Sequence, residues 1–250
     1  MNDPRPLQEL ALPPKDNWAL FLDFDGTLVN LVDHPENVMV LPKVPEILAH
    51  ISNHLKGAVA IVTGREIRDI DKHLAPIHFP VAGIHGLTRR TAEGEVIEPN
   101  GKTDFLDDVK SHLTPLLKRH TELHLEMKSH SLALHYRGNP DLEQMCIDAI
   151  RNGTHHLDNV ELLHGKMVVE AKLGGFNKGI AVSDYLREPP FHGRLPVYAG
   201  DDLTDEDAFE VVNSNSGHSI KVGSGNTKAK FRIQSSDDFV QWLNRLAVSI

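Results

Sequence analysis

Residues 18–27 read Trp-Ala-Leu-Phe-Leu-Asp-Phe-Asp-Gly-Thr, an apolar run that ends in two carboxylates within three positions. The run has the length and content of a strand covered on both faces, as in a parallel sheet. An ionised carboxylate taken out of water without a partner is costly, so Asp23 and Asp25 must be solvated, paired or bound to a cation. Each choice requires companions elsewhere in the chain. Taken alone, Asp-x-Asp-Gly also suits a plain turn with capping carboxylates.

Four more short apolar segments repeat the strand pattern: AVAIV at 58–62, PVAGI at 80–84, PVYAG at 196–200 and HSIKV at 218–222. Between them, residues 42–57 carry Ile47, Leu48 and Ile51 on one helical stripe, and residues 65–76 space Ile67, Ile70 and Leu74 at helical intervals. Strands alternating with helices predict an α/β domain with a largely parallel sheet.

The middle of the chain has another rhythm. A helical stretch at 104–119 precedes TELHLEMK and SLALHYR, two alternating strands joined at Ser129-His130. A helix with Leu142, Met145, Cys146, Ala149 and Ile150 on one face follows, then VELLHG and KMVVEAK meeting around Gly165-Lys166. Helix, hairpin, helix, hairpin predicts a smaller α+β unit with an antiparallel sheet, inserted at 90–173 into a core made of 1–89 and 174–250.

Composition narrows the function classes. The 250 residues are 40% hydrophobic and 24% charged, an ordinary globular balance. The single cysteine rules out an intramolecular disulfide framework and fits the cytoplasm. No apolar run reaches membrane-spanning length, Lys15 and Asp16 precede the first apolar stretch, and MNDPRPLQEL lacks a signal-peptide layout. A net charge of -9 argues against nucleic acid or anionic membrane as a partner. The 16 histidines are scattered and match no metal-ligand spacing.

The chemistry gathers at predicted strand ends, where open α/β sheets place their sites. Gly26 permits unusual backbone geometry beside Asp25, and Thr27 adds a hydroxyl. The second strand runs into Thr63-Gly64-Arg65, where Thr63 could equally cap the next helix. The strand at 196–200 runs into Asp201-Asp202-Leu203-Thr204-Asp205; Asp205 suits a helix N-terminus, and Thr204 to Asp207 has capping-box spacing. Asp201 and Asp202 precede the helix and resist that explanation. Asn177-Lys178-Gly179 offers a cation, or else a solvated lysine. Carboxylates converging on one sheet edge repel, and a hard divalent cation such as Mg²⁺, completed by a substrate phosphate, relieves that repulsion. One aspartate could then attack phosphorus while the other handles a proton.

DFDGT, VTGR, the lysine of NKG and GDDLTDED, in this order, resemble the four motifs of the haloacid dehalogenase superfamily of phosphatases. The resemblance implies a Rossmann-like parallel-sheet core with an inserted α+β cap. It also implies that Asp23 is the nucleophile of an aspartyl-phosphate mechanism and Asp25 the general acid/base. Mg²⁺ would be held by the Asp23 carboxylate, the Asp25 carbonyl and Asp201, with Asp202 and Asp205 in support; Thr63 and Lys178 would contact the phosphoryl group.

A narrower resemblance spans nearly the whole chain. GIHG at 83–86, LEMKSHSLALHYR at 125–137, MVVEAK at 167–172, FNKG and GRLPVYAGDDLTDEDAFEVVN look like the trehalose-6-phosphate phosphatase family. By that resemblance Glu126, Lys128 and Glu170 bind sugar hydroxyls. Gly26, Thr27, Gly64, Arg65 and His85, which fall within the matching motifs, are expected at the substrate. A sugar phosphate is the expected small-molecule partner, and functional pairing with a trehalose-6-phosphate synthase is implied. Glu126 and Lys128 lie two apart on a predicted strand and so share a face, though exposed charges serving cross-strand pairing would look the same. One departure stands out: Thr88 replaces the family's usual glutamate. The alternative is a related capped phosphatase acting on another ester, such as sucrose phosphate or a glycosylglycerate phosphate. A cap that opens and shuts predicts hinges near 87–92 and 172–177.

Overall fold

The computed structural model describes residues 3–10, 17–32, 37–98, 105–157 and 159–250. Lys15, Asp16 and Asp104, which figure in the expectations above, lie outside them. The described chain divides into two compact units, one made of 1–98 with 177–250 and the other of 99–176.

In the first unit the elements run β1 (Arg5–Pro6), β2 (Trp18–Leu22), α1 (Lys43–His54), β3 (Val59–Val62), α2 (Ile67–Leu74), β4 (Val81–Gly83), β5 (Thr88–Arg90) and β6 (Val96–Ile97). The second unit supplies α3 (Phe105–Arg119), β7 (His124–Met127), β8 (Ser131–His135), α4 (Glu143–Thr154), β9 (Val160–Gly165) and β10 (Val168–Leu173). The first resumes with α5 (Lys178–Tyr185), β11 (Leu195–Gly200), α6 (Glu206–Ser214), β12 (His218–Val222), β13 (Phe231–Ile233) and α7 (Ser236–Val248).

Among the described residues, the first unit holds a nine-stranded sheet in the order β1-β13-β12-β11-β2-β3-β4-β5-β6. Pairings are parallel from β1 to β4, and β5 and β6 add an antiparallel edge. All five residues of β2 are buried, as a central strand with helices over both faces requires. The chain leaves β2 for β3 on one side and later returns as β11 on the other. Strand order therefore reverses at β2, and the crevice at its carboxyl end is where such sheets bind ligands. Residues 88–90, within a stretch expected to hinge, are tied into this unit: Arg90 makes a bidentate pair with Asp71 at 2.8 and 2.6 Å, and Tyr185 Oη donates to the Arg90 carbonyl at 2.8 Å.

The second unit is a four-stranded antiparallel sheet ordered β7-β8-β10-β9. Leu132, Leu134, Val169 and Ala171 on one face pack with Val109 and Leu113 of α3 and Cys146 and Ile150 of α4. Burial pushes the Cys146 thiol up to about 11, so it behaves as a small apolar residue. The hairpin between β9 and β10 turns at Lys166-Met167, one residue later than expected, with Met167 in the left-handed region at φ 63°.

Candidate active site

Asp23 follows the last residue of β2, and its N–H donates to the Ala199 carbonyl of β11 at 2.9 Å, which fixes it at the crevice. Lys178 meets it there. It is the first residue of α5, where the Asn177 side chain accepts from the Ile180 N–H at 2.8 Å as the cap. The Lys178 ammonium donates to Asp23 Oδ1 at 2.8 Å and to Asp205 Oδ1 at 2.7 Å, with all three side chains at most 5% exposed. Thr27 Oγ1 donates to Asp23 Oδ2 at 3.3 Å.

The loop after β11 folds around Asp205. Its Oδ1 also accepts from Tyr198 Oη at 2.7 Å, and its Oδ2 accepts from the N–H groups of Asp201 and Asp202 at 2.8 and 3.0 Å. Four donors therefore occupy this carboxylate, which makes it an organiser of the loop. The capping box forms between Asp202 and Asp205, not between Thr204 and Asp207. The reason is that the helical turn starts at Leu203, so Asp202 becomes the N-cap and accepts from Thr204 N–H and Oγ1, each at 2.7 Å.

Asp23, Asp201 and Asp205 each bring a carboxylate oxygen within 4.8 Å of the others. Burial, followed by repulsion from Asp205 and Asp202, pushes the Asp201 carboxyl up to about 7. Asp23 is also raised, by burial against the pull of Lys178 and with Asp205 and Asp201 adding to the rise. Burial alone would depress Lys178, but Asp205 and Asp23 hold it well above its ordinary value. Burial opposes ionisation of the half-buried Asp202 too, yet Lys178 and the Thr204 donors keep it below the usual range. A cluster of hard oxygen atoms with surplus negative charge fits a divalent cation such as Mg²⁺.

Gly26 explains how Asp201 comes so close. At φ +77° it occupies a region that side chains resist, and a Cβ there would lie 2.1 Å from Asp201 Oδ2.

Asp25 and Arg65 form a neighbouring group. The guanidinium grips the Asp25 carboxylate through Nε and Nη2 at 2.7 and 2.8 Å, and lies over the Phe24 ring. Thr63 does not cap α2, which starts at Ile67 with Glu66 as its N-cap residue; its Oγ1 accepts from the Arg65 N–H at 3.1 Å and shapes the turn. A Cβ on Gly64 would lie 2.7 Å from His85 Nε2. His85 reaches that place through an unusual turn, with Ile84, His85 and Gly86 at φ 49°, 55° and 94°. The His85 N–H donates to the Thr63 carbonyl at 2.9 Å and the Ile84 N–H to the Arg65 carbonyl at 3.0 Å.

Thr88, the departure from the family pattern, is 5% exposed, and its Oγ1 would lie 3.0 Å from a Cβ on Gly83.

In the second unit, Lys128 donates to Glu170 Oε2 at 3.0 Å, Ser131 Oγ donates to Glu170 Oε1 at 2.6 Å, and Glu126 Oε2 lies 3.0 Å from His135 Nε2.

Four residues here were not anticipated. Tyr198 and Lys221 stood inside runs counted as apolar strands; the Lys221 ammonium donates to the Asp201 carbonyl. An ionisable residue inside such a run was the available signal. Ser131 and His135 gave none, because their partners depend on strand register.

Comparison with known proteins agrees with the geometry. The trehalose-phosphatase family matches residues 21–237. Trehalose-6-phosphate phosphatase of Escherichia coli strain K12 is 35% identical over 233 residues, covering 93% of this chain and 88% of that protein. A probable trehalose-phosphate phosphatase of Sinorhizobium fredii is 42% identical over 213 residues, covering 83% and 78%. An alpha,alpha-trehalose-phosphate synthase B of Dictyostelium discoideum is 28% identical over 241 residues, covering 92% of this chain and 30% of that protein. Among solved structures, the C-terminal domain of Candida albicans trehalose-6-phosphate phosphatase shares the fold, with TM-score 0.83 at 21% identity over 94% of this chain and 93% of that one. The chain belongs to the trehalose-phosphatase family, whose members are phosphoric monoester hydrolases.

Proposed function

We propose that this chain is a Mg²⁺-dependent phosphatase that hydrolyses trehalose 6-phosphate to trehalose and phosphate, the last step of trehalose formation, through an aspartyl-phosphate on Asp23. The observation that carries the reading is Asp23 at the carboxyl end of β2, held by the buried ammonium of Lys178 beside Asp201. A carboxylate fixed at that crevice is placed to attack a phosphoryl group arriving from solvent.

In the first step an Asp23 oxygen bonds to phosphorus, the P–O bond to the sugar breaks, and Asp25 gives a proton to the departing 6-oxygen. In the second, Asp25 takes a proton from water, the water oxygen bonds to phosphorus, and the Asp23–phosphorus bond breaks to release phosphate. Arg65 orients the Asp25 carboxylate through its two-pronged grip. Lys178, with Thr63, stabilises the negative oxygens of the group in transit. Asp23, the Asp25 carbonyl and Asp201 would hold Mg²⁺, which when bound supplies positive charge against the carboxylates and the phosphoryl oxygens. Asp202 and Asp205 keep the loop and the lysine in register.

Glu126, Lys128 and Glu170 are the proposed sugar-binding residues, and 90–173 the segment that confers specificity. The resemblance to a synthase supports a functional link to the reaction that makes the phosphorylated disaccharide. The burial of Thr88 at the family's glutamate position favours a second reading, in which the ester preferred is another sugar phosphate. A panel of sugar phosphates with and without Mg²⁺ decides between them. The first reading expects the highest kcat/KM for trehalose 6-phosphate, lost on chelation; preference for another ester would replace it.

A further inference from the structure

On the second unit's sheet, Ala133 of β8 pairs with Glu126 of β7 on one side and Glu170 of β10 on the other. Residues directly opposite across strands share a face, so both carboxylates stand on the face away from the apolar packing of α3 and α4. Ala133 is too short to hold either of them. The donors come from the next rows of the same strand. Ser131, two residues before Ala133, donates to Glu170 Oε1 at 2.6 Å; His135, two residues after, donates from Nε2 to Glu126 Oε2 at 3.0 Å. Diagonal neighbours of this kind are within reach for long side chains.

The arrangement does more than neutralise charge. The His135 bond engages one oxygen of Glu126 and leaves Oε1 to accept from a hydroxyl. Burial opposes ionisation of Glu126, but His135 and Lys128 hold its carboxyl below the usual range, so it stays an acceptor. Ser131 in turn fixes Glu170, which holds Lys128 at 3.0 Å. A carboxylate already fixed in its binding rotamer loses less freedom when a sugar arrives.

We infer that Ser131 and His135 are positioning residues that fix the Glu170–Lys128 pair and Glu126 for sugar hydroxyls. This rests on the proposed sugar-phosphate activity. It is tested by kcat and KM for trehalose 6-phosphate and for p-nitrophenyl phosphate, which has no sugar, in the wild type, His135→Phe, His135→Gln and Ser131→Ala. His135→Phe raises KM for trehalose 6-phosphate about 5- to 30-fold with kcat within about 2-fold, and lowers the ratio of kcat/KM between the two esters in proportion. His135→Gln keeps an N–H donor and stays within about 3-fold of wild type; Ser131→Ala shows the same split as the phenylalanine variant, at smaller size. An unchanged KM in His135→Phe, or equal losses on both esters, overturns the inference. A wild type that does not favour trehalose 6-phosphate over p-nitrophenyl phosphate overturns the substrate reading, and the inference with it.

Discussion

Asp23 and Asp205 share the ammonium of Lys178 with Asp201 crowded beside them, whereas Glu126 and Glu170 each have donors of their own on neighbouring strands. The core cluster is largely buried and carries surplus negative charge, which an added cation would offset. The sheet face of the second unit is matched, carboxylate to donor, at side-chain exposures of up to 30%. Unbalanced charge in a dry site is a means of driving chemistry; balanced, half-wet charge suits hydroxyls that exchange one hydrogen bond for another.

The sharpest way to break the comparison is Asp23→Asn. It keeps the shape of the cluster and removes the proposed nucleophile, so phosphate release at saturating substrate should fall by about 10⁴-fold or more. Because it also removes one of three crowded carboxylates, the melting temperature should hold or rise. Near-normal release would end the nucleophile assignment.

Lys178→Met probes the opposite side of the imbalance. Asp23 and Asp205 are then left without their shared ammonium, which costs about 3–5 kcal/mol of stability by analogy with broken buried pairs. Urea denaturation reads that loss; a change under 1 kcal/mol would show that the cluster does not depend on the lysine. Glu126→Gln, in the matched region, should leave stability nearly unchanged and raise KM for the sugar phosphate by about 10-fold or more, the scale of a charged hydrogen bond. Steady-state kinetics checks it, and an unchanged KM removes Glu126 from the sugar site.

The smallest effect lies at Asp71 of α2. Hydrogen bonds from Arg90, then burial acting the other way, leave Asp71 below its ordinary value of 3.8. A carboxyl lowered on folding stabilises the protein above its unfolded value, and that contribution is lost as pH falls through the folded value. Wild type should therefore out-melt Asp71→Asn at pH 6, and the gap should close as the pH drops below about 4. A gap independent of pH would mean that the Asp71–Arg90 pair acts through shape alone.

Most of the core was legible because its signals are local. Residues 18–22 are apolar throughout and sit in the middle of the sheet, and the polar residues that end each central strand fall at one edge by topology alone. Strands β1, β5, β6 and β13, of two or three residues each, were not legible, since so few positions carry no period. The capping box shifted by two residues because hydrogen bonds to Asp205, not spacing, decided where the turn begins. The partners of Glu126 and Glu170 were hidden for another reason: β8 lies between β7 and β10, and only the final register reveals which residues sit diagonally.

The left-handed turn at Ile84-His85-Gly86 has a consequence for how the site comes into order. A β-branched residue at φ 49° is unfavourable by itself, on the order of 1–3 kcal/mol. It is offset where the Thr63 and Arg65 carbonyls receive the turn's N–H groups, and Gly86 lies against the Asn177 carbonyl, 2.7 Å from where its Cβ would be. The segments bearing Thr63, His85 and Asn177 should therefore order and melt together, so that damage to any one of them is felt at all three.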